Sequence, residues 1–513
     1  MGLFLGTLVF AFAQAPQAAA AAVLNTKAAQ NTKAVDINSV QKWIARTGAA
    51  WTAKKNWVSE LSREEARRML GSIDEPTGML IMNDNKIAAR NSIDWRNKEG
   101  VNWLGPMMNQ GNCGSCVAFA AVATLEAQYS ITYGFPMMRP TFSPQALFAC
   151  GGGGCNSGWR PASAASFMKR TGVVDDACMP YTSGSTGEDA TCNIGCIDSG
   201  ARTFKIDGSS QPSSGWFTNI ESVKAAIHKG PLMTTMTVYA DFLAYSDGIY
   251  KTSGKDALGG HAIGLVGYDD TSRTWIIRNS WGPEWGNGGY ARISWDDKSG
   301  IGNSTWLLSV PVQTEYLAVL SPQDREYAWD TYNIKVATAL KESREVLIRL
   351  RNAEGLELQS VSCTPDDQTA CTAKLDTTQL KEGRYELFAE AAKGSALRSQ
   401  VRAFYVINSA PQLKLSYIPV GVDLSKTVKG RIEFEITTDS APVPMSRVDF
   451  VARGADGRES IKSNEFVLGK MKMGWRSNST TNGEYEIFFR GEMPWRGKTY
   501  RFATEPVKIN VQN

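Results

Sequence analysis

Two lobes of unlike character around a cleft, one helical and one built on a β-sheet, followed by two all-β sandwich domains: this α+β, then all-β, order is the fold class the sequence predicts. Three observations lead to it. A polar turn, Gln110-Gly-Asn-Cys-Gly-Ser-Cys116, runs directly into an apolar segment of helical length, Cys116 to Ser130, rich in helix formers and free of Gly and Pro. Short β-branched and aromatic runs follow at Ala262–Tyr268 and Thr274–Arg278, the composition of buried strands. After Val310 the pattern turns to alternating strands, whose features recur about 100 residues later.

The chain has 513 residues, too many for one core, and ordinary domain sizes imply about three or four units. Hydrophobic residues at 42% and charged residues at 21% describe a globular protein rather than a disordered or fibrous one. A formal charge of +4 without any run of Lys or Arg gives no reason to expect nucleic acid or a membrane surface as partner. Nine cysteines leave eight beyond Cys116, enough for four disulfides, and sequence spacing alone does not set their pairing. Zinc is the competing use, but two histidines and no repeated Cys-x-x-Cys pairs argue against a metal site, and no cofactor is expected. Disulfides on this scale belong to an oxidising compartment.

In chain order, residues 1–26 read as a leader: Leu3–Phe12 is apolar and Ala11-Phe-Ala13 fits a small-residue cleavage site, although the first lysine comes only at Lys27. The apolar run is too short to span a bilayer, so no integral membrane segment is expected in the mature chain. Residues 27–90 form the next unit. There Trp43, Trp51 and Trp57 are apolar anchors, and Ser62-Arg-Glu-Glu65 is a capping box opening a helix over Arg63–Leu70 that Gly71 ends. So small a unit makes a poor core and is expected to pack on a neighbour.

Residues 91–312 form the two-lobe domain, helical to about residue 200 and strand-rich beyond. The glycines at 151–154 read as a turn between cysteines, because no Gly-Lys-Ser/Thr follows to make a phosphate loop. The tail divides into sandwiches at 313–409 and 410–513, joined at Ser409-Ala-Pro411. Gly383-Arg-Tyr-Glu-Leu387 matches Gly483-Glu-Tyr-Glu-Ile487, and the patterning suggests immunoglobulin-like units with a tyrosine at one strand corner.

Cys116 falls in the first turn of its helix, where free backbone N–H groups and the helix dipole favour thiolate over thiol, as a nucleophile requires. Its proton acceptor must come from two histidines. His228 sits on an amphipathic helix over Ile220–Lys229 and reads as exposed and non-catalytic. His261 lies in Gly259-Gly-His-Ala-Ile-Gly, 145 residues after Cys116, and Asn279 in Arg278-Asn-Ser-Trp-Gly follows 18 residues later. A redox reading of Cys113-Gly-Ser-Cys116 needs a strand leading into the motif, and Met107-Met-Asn-Gln-Gly111 is a poor one.

Cysteine, histidine and asparagine motifs in this order and spacing resemble the papain-family (cathepsin-like) cysteine proteases over roughly residues 35–311. One departure is Val117, where the family usually has Trp. The resemblance implies a papain-like two-lobe fold and a secreted endopeptidase, made as a pro-enzyme, that acts on protein or peptide substrates. It implies Cys116 as nucleophile, His261 as acid and base, Asn279 as orienting amide and Gln110 as oxyanion donor, with Cys116 and His261 resting as an ion pair. Trp281 would shield Asn279. Gly158 would offer backbone hydrogen bonds to an extended peptide, while Trp159, Pro161, Thr235, Ala262 and Ser304 would line an apolar pocket for the second residue before the scissile bond.

Within the family, the cysteine framework and the Trp51–Asn56 and Leu61–Gly71 patterns resemble the cathepsin B branch. That implies disulfides Cys113–Cys155, Cys150–Cys192 and Cys178–Cys196, with Cys363 and Cys371 left as a local pair. It also implies a propeptide that inhibits the enzyme and is removed between residues 88 and 92. The branch carries a two-histidine insertion that captures a substrate C-terminus, whereas the interval here, Cys178–Cys192, contains no histidine, so open-ended endopeptidase action is expected. The expected setting is extracellular or periplasmic, or a lysosome-like compartment in a eukaryote.

Overall fold

The N-terminal unit is tied to the domain that follows it by strand pairing and by tryptophans. A computed structural model of the chain describes residues 33–73, 92–136, 138–215, 218–340, 345–365, 370–392, 397–411, 414–438, 445–466, 470–477 and 480–513. The expected leader and all but Ser92 of the expected cleavage stretch lie outside them.

Helix α1 (Ile37–Thr47) starts at Asp36, whose carboxylate accepts from the Asn38 amide, and closes on Gly48 in the left-handed region. Strand β1 (Trp51–Ala53) and helix α2 (Arg63–Arg68) follow. The Ser62/Glu65 capping box is formed, but α2 stops at Arg68, because Met69 to Ile73 are drawn out along the neighbouring domain. Trp51 is 2% exposed and its ring meets Tyr245 and Tyr250 at 6.2 and 5.1 Å. Burial of such a ring contributes roughly 2–3 kcal/mol, which a unit this small does not supply from its own contacts.

Strand β2 (Ser92–Asp94) leads to helix α3 (Cys116–Thr132), buried on nearly all sides as its apolar sequence requires. Helices α4 (Pro144–Gly151), α5 (Pro161–Arg170), α6 (Ser183–Thr186) and α7 (Ser199–Arg202) complete the helical lobe. The sheet lobe comprises β3 (Gly208–Ser213), helix α8 (Ile220–Ile227), β4 (Leu232–Tyr239), β5 (Tyr245–Tyr250), β6 (Ala257–Asp269), β7 (Thr274–Arg278), β8 (Tyr290–Ser294) and β9 (Thr305–Ser309). Its strands run in the order β1-β5-β8-β7-β6-β4-β9-β3 with β2 on β6, so β1 of the N-terminal unit is the edge strand of this sheet. His228 follows α8, half-buried rather than exposed, because its ring bonds the Tyr268 hydroxyl at 2.9 Å.

Beyond Val310 come β10 (Tyr316–Ser321), β11 (Tyr327–Ala328), β12 (Thr331–Ala339), β13 (Val346–Asn352), β14 (Glu357–Cys363), β15 (Ala370–Asp376), β16 (Gly383–Ala391) and β17 (Arg402–Val406). They form a three-stranded sheet, β10-β12-β15, and a five-stranded one, β11-β17-β16-β13-β14, which share one core, as Val336 and Leu375 meet Ile348 and Phe404. A second unit repeats the scheme with β18 (Leu415–Val420), β19 (Arg431–Thr438), β20 (Met445–Gly454), β21 (Glu459–Phe466), β22 (Lys470–Arg476), β23 (Gly483–Trp495), β24 (Lys498–Ala503) and β25 (Val507–Val511). Tyr385 and Tyr485, at corresponding places, each donate to a carbonyl four residues back, Lys381 at 2.7 Å and Thr481 at 3.1 Å.

The first β unit docks on the helical lobe through buried charge. Arg202 pairs with Asp175 at 2.5 Å and with Glu386 of β16 at 2.9 Å, and all three are over nine-tenths buried. Arg351 and Arg398 reach Asp198 at 2.7 and 2.8 Å. Burial pushes the Asp198 carboxyl up, but the hydrogen bonds from Arg398 and Arg351 outweigh it and hold the group at about 2. Arg402, on β17, is spent on Asp324 and on the carbonyls of Met138 and Arg139. The disulfides are Cys113–Cys155, Cys150–Cys192, Cys178–Cys196 and Cys363–Cys371, and Cys116 is a free thiol. No helix among the described residues is long and apolar enough to cross a membrane.

Candidate active site

Cys116 opens α3 at the floor between the lobes. The turn before it is fixed by the Cys113–Cys155 disulfide and by the Gly114 amide donating to the Cys155 carbonyl at 3.0 Å. From the sheet lobe, β6 brings His261 and Ala262, and the Ala262 amide donates to the Cys116 sulfur at 3.4 Å. The end of β7 brings Asn279, whose Oδ1 lies 2.8 Å from His261 Nε2. That bond commits Nε2, while Nδ1 is buried and has no hydrogen-bond partner. Trp281 stacks on the imidazole, with centroids 4.8 Å apart and planes at 29°.

Gln110 joins the two walls. Its amide accepts from the Ser280 hydroxyl at 2.6 Å, its backbone N–H donates to the Ser280 carbonyl at 2.8 Å, and its Nε2 donates to Met69 and Cys113 carbonyls at 2.9 Å each. Ser280 escapes sequence reasoning as a functional residue, although the Asn-Ser-Trp motif contains it. Its hydroxyl decides which way the Gln110 amide points.

The remaining candidates fall on both sides of this floor. Thr235 pairs with Ala262 across β4 and β6, and its amide donates to the Ser304 carbonyl at 3.1 Å, so these three meet in one patch of sheet. Trp159 and Pro161 lie buried opposite, at the start of α5. The backbone of Gly158 is not free for a peptide, because its N–H and C=O both pair with Gly154. Trp159 pairs with another segment of the chain: its N–H donates to the Gly71 carbonyl at 2.7 Å and its C=O accepts from Ile73 at 3.0 Å.

Those partners belong to the N-terminal unit, which crosses the cleft at residues 69–73. Ser72 donates to the Gly260 carbonyl on the other wall at 3.1 Å, and the segment runs parallel to Trp159. Beneath it Cys116 and His261 are fully buried. Burial pushes the Cys116 thiol up, against the amides of Ala262 and Gly71. Burial likewise lowers His261 to about 4, against the Asn279 hydrogen bond that favours its charged form. In this covered state burial therefore works against both charges of the expected ion pair, since neither has water to solvate it.

A helical lobe and a sheet lobe closing over a buried helix-N-terminal thiol define the class, a two-lobe thiol peptidase. Residues 89–307 match the family described as Papain family cysteine protease. Cathepsin B-like CP3 of Giardia intestinalis is 38% identical over 210 residues, 40% of this chain and 69% of that protein. Cathepsin B-like CP2 of the same organism is 37% identical over 208 residues, 39% of this chain and 68% of that one. Among solved structures, procathepsin B S9 from Trypanosoma congolense covers 55% of this chain and 100% of its own, at 21% identity and a TM-score of 0.48. The chain belongs to the papain family of cysteine proteases and is a cysteine peptidase.

Proposed function

We propose that the chain is the zymogen of a cysteine endopeptidase, with residues 27–90 as prosegment, 91–312 as peptidase and 313–409 and 410–513 as immunoglobulin-like sandwiches. The carrying observation is the convergence of Cys116, the His261–Asn279 pair and Gln110 on one floor, with Gly71 lying directly above it.

Once the prosegment is gone, His261 Nδ1 takes the Cys116 proton and the sulfur attacks the scissile carbonyl carbon. The oxyanion is held by the Gln110 side-chain N–H and the Cys116 backbone N–H. Collapse breaks the C–N bond as His261 returns its proton to the leaving amine, which leaves a thioester. Water, deprotonated by the same imidazole, then releases the acid and restores the thiol. Asn279 keeps Nε2 occupied throughout, so that Nδ1 faces the sulfur.

Four disulfides suit a secreted or lysosomal enzyme, and the leader favours secretion. Casein cleavage by activated wild type beside Cys116→Ala tests the nucleophile: equal rates would remove Cys116 from the mechanism. With no histidine between Cys178 and Cys192, a peptide and its C-terminally amidated twin are cut at similar rates. Dipeptide release that amidation abolishes would show instead an exopeptidase.

A further inference from the structure

Ser115 occupies the N-cap position of α3, where a serine hydroxyl ordinarily accepts from an amide of the first turn. Here it makes no capping bond. Its Oγ lies 2.6 Å from the Tyr181 hydroxyl, which also donates to the Gln110 carbonyl at 2.8 Å. One phenol thus ties together both ends of the turn that carries the oxyanion donor and the nucleophile. Its ring is wedged edge-on against Phe119, one helical turn after Cys116, with centroids 4.7 Å apart.

Tyr181 belongs to a segment that the β units grip. Upstream, Asp175 accepts from the Cys178 amide at 3.2 Å and is bonded by Arg202, which Glu386 holds from the first β unit. The Cys178–Cys196 disulfide closes the segment on itself, next to Asp198 and its two tail arginines. Downstream, α6 lies against β22 of the second β unit, and the Gly184 carbonyl in α6 accepts from Asn112 at 2.9 Å. Only Met179 and Pro180 separate Cys178 from Tyr181, so a shift at the junction has little chain in which to dissipate.

We propose that Tyr181 is a positioning residue for the Gln110–Cys116 turn, and that the C-terminal β domains set its place by clamping residues 175–202 between Glu386 and β22. The tail is then part of the catalytic apparatus by support, with no group of its own touching substrate. The segment gives the coupling a contiguous physical route, and a double-mutant cycle measures it.

This inference rests on Cys116 as nucleophile, and Cys116→Ala in the same assay keeps the two failures apart. The test uses full-length activated enzyme carrying Tyr181→Phe, Glu386→Gln or both. Tyr181→Phe keeps the ring against Phe119 and removes only the two hydroxyl contacts. Expected are a fall in kcat of about tenfold with KM within about twofold, and a smaller kcat loss in Glu386→Gln. The double variant should be no slower than Tyr181→Phe alone, because the tail acts through that hydroxyl. An unchanged kcat in Tyr181→Phe overturns the positioning role, and losses that multiply in the double variant overturn the link to the tail. If Glu386→Gln does not fold, Arg398→Gln at the Asp198 end of the segment takes its place in the cycle under the same criteria.

Discussion

Gly71 and Gly114 cross with no side chain between them: a β-carbon on Gly71 would stand 1.9 Å from the Gly114 carbonyl oxygen. The backbone of the N-terminal unit therefore lies directly on the turn that precedes Cys116. The Gly71→Ala change must lift it, and overpacking of this kind costs about 1–3 kcal/mol. The isolated 36–88 peptide carrying Gly71→Ala should inhibit mature enzyme about ten- to a hundredfold more weakly than the unaltered peptide. Equal inhibition constants would count against the crossing as the blocking contact.

Gln110 and Ser280 predict a graded pair of defects. Gln110→Ala removes an oxyanion donor, a loss of about 3–4 kcal/mol and hence about a hundred- to a thousandfold in kcat. Ser280→Ala leaves the donor but frees its orientation, and one hydrogen bond of about 1 kcal/mol corresponds to roughly fivefold. Steady-state kinetics on a peptide amide separates the two, and a larger loss for Ser280→Ala than for Gln110→Ala would reverse the proposed roles.

Only two histidines occur in the chain, so imidazole proton resonances resolve His261 directly. In the prosegment-covered protein it should titrate at about 4, depressed by burial from its ordinary value of 6.5. The sign follows. The unfolded chain takes up this proton between about pH 6.5 and 4 while the folded one does not, so stability falls with pH across that window. The shift corresponds to about 3 kcal/mol, complete below about pH 4. The Cys116 thiol keeps its proton in both states there and adds no slope. Chemical-shift titration of the Cys116→Ser zymogen is the measurement, and a midpoint at or above 6.5 contradicts a dry imidazole.

Arg402→Ala strips Asp324 and the Met138 and Arg139 carbonyls of a shared buried partner. Removing one side of such a buried pair costs about 3–5 kcal/mol. Calorimetry of the full chain should show the first β unit and the peptidase melting apart in the variant, where wild type unfolds them together. A single unshifted transition would mean that the junction holds without this residue.

The helix that Cys116 opens and the strands that bring His261 and Asn279 were legible because each rests on local signals: an apolar run after a polar turn, and short β-branched runs. The capping box at Ser62 was legible for the same reason, but the end of α2 was not. There the chain obeys the cleft of another domain, and Arg68 rather than Leu70 is the last helical residue. The burial that disfavours charge on Cys116 and His261 escaped for a related reason, since its cause lies some 45 residues upstream of Cys116 in a strand-like segment that covers them. Tyr181 and Arg202 carry no sequence signal at all. Their partners, Gln110 and Glu386, are 71 and 184 residues away, and a tyrosine or arginine in a loop looks alike whether it is solvated or buried.

The sheet of the peptidase owes its outermost strand to the N-terminal unit, because Trp51–Ala53 pairs with Tyr245–Tyr250. Departure of residues 33–73 would leave β5 with unsatisfied amides and carbonyls beside the hollow that the Trp51 ring had filled between Tyr245 and Tyr250. If that unit is shed as proposed, the molecule left behind is stickier than its precursor, and its solubility depends on what next comes to lie along that rim.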